Sequence, residues 1–231
     1  MKRVLSRILV TSGVMLCASV STASFAAADG PVRPDAARGE MLYEQGDAAR
    51  GVIACSSCHG VAGNSQIPLN PNLSAMPHEY LYKQLSEFKL KDGEDVATRG
   101  GADGGPSVMS FNVMMLEPQD MQDIALYLSH QELTEPATAE NEATVETGMH
   151  LWRGGDAARG IPACAACHGA SGEGIPAQYP RLGGQHAMYL EEQLKLFREG
   201  YRANNQVMVT IAKRLSDADI KAIADYAAGL R

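Results

Sequence analysis

The sequence predicts an all-α protein made of two tandem copies of one small domain, and three observations predict it. The 231-residue chain repeats itself at a nearly fixed offset. The repeated segments space their apolar residues as helices do. Each copy also holds one C-x-x-C-H motif, at 55–59 and at 164–168.

The first element is a leader. Lys2, Arg3 and Arg7 precede an apolar stretch from Ile8 to about Val20, followed by small residues to Ala28. This is the layout of a secretory signal peptide over 1–28, cleaved after Ala26 or Ala28. Its apolar core is shorter than the roughly 20 residues that cross a bilayer. Cys17 lies inside it, so the four cysteines beyond it, Cys55, Cys58, Cys164 and Cys167, all fall in the two motifs. An exported protein has access to disulfides, yet every thiol here is committed elsewhere. Removing the three basic leader residues takes the formal charge from −7 to −10. With no basic face, nucleic-acid binding is excluded. The charge is lopsided: 29–136 carries 16 acidic and 7 basic residues, and 137–231 carries 11 and 10. A dipolar molecule steered by its N-terminal half toward a basic partner follows.

At offset 109, "GEMLYEQGDAARG" from Gly39 falls on "GMHLWRGGDAARG" from Gly148, and "CSSCHG" falls on "CAACHG". Pro71 falls on Pro180, and "YLYKQLSEF" from Tyr80 falls on "YLEEQLKLF" from Tyr189. The second copy then runs ten residues shorter, and "MQDIALYL" meets "IKAIADYA" at offset 99. A duplication this long predicts one domain over 29–132 and a second over 147–231. The polar, acidic stretch 133–146 reads as a linker.

Each copy shows three helical segments. In the second, Ser216 is an N-cap with Asp219 three residues on, followed by the apolar face of Ile220, Ile223, Ala227 and Leu230. In the first, Pro118 suits an opening turn ahead of Met121, Ile124, Ala125 and Leu128. The middle helices carry Tyr80, Gln84, Leu85 and Phe88, and Tyr189, Gln193, Leu194 and Phe197. Three short helices and long loops bury little apolar surface in a domain of about 100 residues. A large apolar cofactor would fill the centre.

The motif suggests which one. Cysteines at i and i+3 with a histidine at i+4 project from one face of a helical turn. There the thiols add across two haem vinyl groups while the imidazole reaches the iron. A zinc ribbon needs two C-x-x-C pairs about 15–20 residues apart, and a thioredoxin-like site needs a βαβ setting. Export, duplication and helical flanks favour covalent haem c, one on Cys55, Cys58 and His59 and one on Cys164, Cys167 and His168. Spacing selects the second iron ligands. Met109 and Met208 each lie seven residues before a leucine, Leu116 and Leu215, and eighteen before a tyrosine, Tyr127 and Tyr226. Met114 and Met115 fail that spacing and are expected against the haem edge or the core. His78, His130, His150 and His186 do not recur between copies and are expected in surface or packing roles. Pro71 and Pro180 are placed to offer a carbonyl to the outer nitrogen of each motif histidine.

The segments "CAACHGASGEGIPAQYPRLGGQHAMYLEEQLKLFREGYR" and "MVTIAKRLSDADIKAIADYAAGL" resemble the C-terminal domain of the cytochrome c4 family. The likeness extends over nearly all of the mature chain, with departures at Met76-Pro77 and in "KLKDGEDVATRGGADGGPS". It implies two class I cytochrome c domains, His59 and Met109 on one iron, His168 and Met208 on the other, and haems near the domain interface. It further implies a periplasmic electron carrier, not an enzyme, between a membrane quinol–cytochrome c oxidoreductase and a haem–copper terminal oxidase. Loose membrane association stays open. The alternative is a dihaem cytochrome subunit of a periplasmic dehydrogenase, such as a flavoprotein that oxidises sulfide. A third class is an enzyme with one five-coordinate haem.

Overall fold

The computed structural model describes residues 33–91 and 97–231. The expected leader, with Cys17, lies outside the described residues, as does part of the loop before Met109. Among the described residues, the α-helices occur in two matching sets of five. The first lobe holds α1 (Ala36–Gln45), α2 (Ser56–His59), α3 (His78–Phe88), α4 (Val108–Asn112) and α5 (Pro118–Ser129). The second holds α6 (Val145–Gly154), α7 (Ala165–His168), α8 (Ala187–Glu199), α9 (Gln206–Ala212) and α10 (Asp217–Ala228). Extended pairing among the described residues is limited to isolated bridges. The three helices expected in each copy are joined by two more: the motif's own turn, and a short helix carrying Met109 or Met208. Neither is long enough to show a hydrophobic period.

In each lobe the first helix crosses the last, α1 on α5 and α6 on α10. Glycine makes that crossing close. A Cβ on Gly39 would lie 2.1 Å from the Asp123 carbonyl oxygen, and one on Gly148 would lie 2.3 Å from that of Ala222. Beside the crossing, Tyr43 and Trp152 occupy equivalent, fully buried positions. Tyr43 donates to the Gly60 carbonyl at 2.8 Å, and the Trp152 indole donates to that of Ala170 at 3.2 Å. Both bonds tie the first helix to the chain just beyond the motif.

The repeated "GDAARG" is the second tie. Asp47 and Asp156 open tight loops closed by bridges to Val52 and Ile161. Arg50 joins Asp47 to Asp120 at 2.7 Å each, and Arg159 joins Asp156 to Asp219 at 2.6 Å each. Asp120 and Asp219 also close the capping boxes at the starts of α5 and α10. One arginine thus fastens the loop entering the motif to the last helix.

The stretch 133–146 is not free chain throughout. Asp225 on α10 accepts from the backbone N–H groups of Glu140 and Asn141, at 2.8 and 3.3 Å. With the segment anchored there, α6 begins at Val145, inside the expected linker.

Gly148→Val is expected to force the α6–α10 crossing open, at a cost of about 3 kcal/mol, the upper end for overpacking, measured by chemical unfolding of the holoprotein. Burial alone would raise the Asp219 pKa, but bonds from Arg159 and Ser216 outweigh it and hold the carboxyl below its usual range. Its contribution is therefore complete above the unfolded value of about 3.9 and is lost as pH falls through the folded value. Asp219→Asn should cost about 1–3 kcal/mol at neutral pH. It should also flatten the acid limb of stability, followed by unfolding midpoints against pH.

Candidate metal centres

The motifs fold as single helical turns. Cys55 and Cys164 stand at the N-caps, and the His59 and His168 N–H groups donate to their carbonyls at 2.9 Å. Gly60 and Gly169, at φ +73° and +83°, end the turns in a conformation that favours glycine. Both histidines are 7% exposed. Nδ1 of His59 lies 3.0 Å from the Pro71 carbonyl oxygen and Nδ1 of His168 lies 3.1 Å from that of Pro180. A carbonyl only accepts, so each Nδ1 carries the proton and each Nε2 presents a lone pair. Burial lowers the pKa of both rings and keeps them neutral.

None of the four motif cysteines is joined in a disulfide. Burial pushes Cys55 and Cys164 up to about 11. No cluster of three or more His, Cys, Asp or Glu side chains among the described residues is arranged to bind a metal ion. The donor set on each turn, two thiols and one neutral imidazole with a committed tautomer, fits covalent haem.

Met109 is half-buried against the same apolar cluster as Cys55. Met208, also half-buried, packs with Phe197, Val209 and Ala212, and its N–H is capped by the Asn205 side chain at 3.0 Å. Met114 and Met115 are 51% and 52% exposed rather than in the core. They follow α4, where the chain turns outward before α5. His78 and His186 are bonded to the carbonyls of Gln122 and Ser65, and His130 and His150 are exposed.

Two further groups of residues join the lobes without having stood out in the sequence. Gln185 exchanges hydrogen bonds with the Asn72 backbone at 2.9 Å in both directions, and His186 Nε2 meets the Ser65 carbonyl at 3.0 Å. Arg99 and Arg202 face each other across an antiparallel bridge. Arg99 donates to Gln84, and across the seam to Tyr189 and Gln193, at 2.9, 2.7 and 3.1 Å. Arg202 donates to Gln193, and across the seam to Tyr80 and Gln84, at 2.8, 3.2 and 3.2 Å. Each guanidinium covers the phenylalanine of its own lobe, Phe88 or Phe197, at 4.2 and 4.4 Å. The tyrosines, glutamines and phenylalanines had already aligned at offset 109. The arginines lie 103 apart, in the region where the copies differ in length, so the repeat could not pair them.

Comparison with known proteins agrees with this architecture. The family described as cytochrome c matches residues 36–132 and 162–230. Cytochrome c4 of Azotobacter vinelandii is 41% identical over 201 residues, covering 82% of this chain and 92% of that protein. A protein of Stutzerimonas stutzeri (strain A1501) described as a thiosulfate dehydrogenase electron acceptor is 34% identical over 203 residues, covering 86% and 89%. The crystal structure of reduced recombinant cytochrome c4 from Pseudomonas stutzeri superposes with a TM-score of 0.71 at 35% identity, over 86% of this chain and all of that one. The chain therefore belongs to the cytochrome c family, in its two-domain cytochrome c4 branch, with two covalently bound haem c groups.

Proposed function

We propose that this chain carries single electrons through the bacterial periplasm, and that His59 and Met109 would hold the iron in the first lobe and His168 and Met208 in the second. As a member of the cytochrome c4 family it is an electron carrier and not an enzyme. The observation that carries the ligand reading is the pair of imidazoles held by Pro71 and Pro180, each with its free nitrogen turned away from the carbonyl. Bound haem supplies the one-electron chemistry, its iron alternating between ferrous and ferric.

The chain's own residues supply the rest. Cys55 and Cys58, and Cys164 and Cys167, fix each group through thioethers. The proline carbonyls hold the rings in one orientation and strengthen them as ligands. Met109 and Met208 would each give a thioether to the iron, closing it to substrate and raising its potential. A site whose ligands are already placed in both oxidation states moves little when an electron arrives.

Export through the leader at 1–28, with domains over 29–132 and 147–231, supports a periplasmic location. No helix among the described residues is long and apolar enough to cross a membrane. A membrane quinol–cytochrome c oxidoreductase as donor and a haem–copper oxidase as acceptor suit a carrier of this family. The relative described as a thiosulfate dehydrogenase electron acceptor supports a second reading, in which a periplasmic dehydrogenase, rather than the quinol-oxidising complex, reduces this chain.

Met109→Ala and Met208→Ala should each remove half of the weak red charge-transfer band that marks methionine–iron ligation in the oxidised protein. Ready binding of carbon monoxide by the wild-type ferrous protein would overturn the closed-site reading. The acidic excess of the first half should make docking on a basic partner slow as salt is raised. Stopped-flow electron transfer at several ionic strengths measures this, and a flat dependence would refute it.

A further inference from the structure

Each lobe has one helix that carries the proposed methionine ligand, and the outer faces of these two helices differ in chemistry. On α4, Met109 turns inward with Val113 and Leu116, against the core of the first lobe. Val108, Phe111, Met114 and Met115 turn the other way and are each more than half exposed. At offset 99 their counterparts are Val207, Thr210, Lys213 and Arg214, all exposed. In the second lobe Pro162 borders one surface recess together with Val207, Thr210 and Arg214. The residue matching Pro162 in the first lobe is Ile53, also more than half exposed, so the repeat adds it to the face of α4. Apolar side chains scattered singly over a surface are ordinary, but a contiguous group marks a contact surface. The first lobe has such a group. The second replaces most of it with a hydroxyl and two cations.

Charge decides what covers the group. No charged residue occurs between Asp103 and Glu117, and both of these carboxylates are exposed at the ends of the segment. The half that carries the group has 16 acidic and 7 basic residues. A second copy of the chain would bring the same acidic excess, and an anionic lipid surface would be repelled likewise. A protein with an apolar centre ringed by lysine and arginine complements both the apolar face and its acidic rim. We propose that the outer face of α4 is the surface on which such a redox protein docks to exchange electrons with the first lobe. At the equivalent place in the second lobe, Lys213 and Arg214 turn the same partner away. A single helix is about 10 Å across, so a partner seated on α4 stands one helix away from the face that carries Met109.

This inference rests on the carrier reading and names the surface that a steered partner meets. The probe is a lysine-rich mitochondrial cytochrome c, mixed with the full-length holoprotein in a stopped-flow instrument at low salt. Replacing Phe111→Thr and Met115→Gln together leaves the net charge unchanged. It should slow electron exchange about tenfold, the size of one lost central anchor, with both potentials in place. Val207→Thr should leave the rate as it is, and so should replacing the probe with a small cobalt-complex oxidant, which needs no docking surface, in the double variant. An equal fall with the cobalt oxidant, or an equal fall from Val207→Thr, would overturn the proposal. Unmoved rates in a protein whose exchange still slows with salt would sink the docking surface alone. A wild type that passes no electrons to the probe would sink the carrier reading beneath it. Should the double variant fail to fold, the wild type decides by NMR with both proteins reduced. Amide signals of α4 should move when the probe is added while those of α9 stay, and the reverse pattern would refute the assignment.

Discussion

The closeness of the crossing between first and last helices is the constraint on which the rest of each lobe depends. Only hydrogen at Gly39 and Gly148 lets the two backbones meet at this distance. Once they meet, the arginine of the following loop reaches the capping carboxylate of the last helix, and the buried aromatic of the first helix reaches the chain beyond the motif. The C-x-x-C-H turn is thereby held from both sides. It has little stability of its own, since one helical turn fixes several dihedrals for very few hydrogen bonds. Its geometry comes from the scaffold.

Duplication has been used twice over. Within a lobe it copies a complete ligand frame, including the twelve-residue step from histidine to proline carbonyl. Between lobes it copies a surface that meets its own likeness, so that tyrosine, glutamine and phenylalanine from α3 and α8 converge on one seam. The contact near Asn72 breaks this symmetry. There the second lobe reaches the 65–72 loop through Gln185 and His186, and the Asn72 side chain donates back to the Gly184 carbonyl at 3.4 Å; the first lobe has Met76 and Pro77 at the matching positions, which offer no side-chain hydrogen bond.

Much of this was legible in the sequence because it rests on repeated, local chemistry. The motif turns, the capping box at Ser216 and the proline carbonyls on both imidazoles follow from residue type and spacing. Met109 and Met208 were distinguished from Met114 and Met115 by two matching intervals, and the structure buries the former pair more deeply. What stayed hidden depends on the third dimension. The short helices of Met109 and Met208 span too few residues for periodicity. The anchoring of 133–146 comes from groups distant in sequence: the Asn64 side chain, the Gly184 carbonyl, the Asp225 carboxylate and the Arg231 guanidinium. Arg99 and Arg202 sit in loops of unequal length, where alignment loses its register although the fold brings the two side chains together.

The grip of Gln185 and His186 on the 65–72 loop makes the halves unequal in what they owe each other. The carbonyl that orients His59 stands on a strap buttressed by its neighbour, whereas Pro180 stands on its own lobe's loop. Parted from each other, the halves would lose different things: the first would forfeit the buttress behind its proline carbonyl, while the second would keep its own.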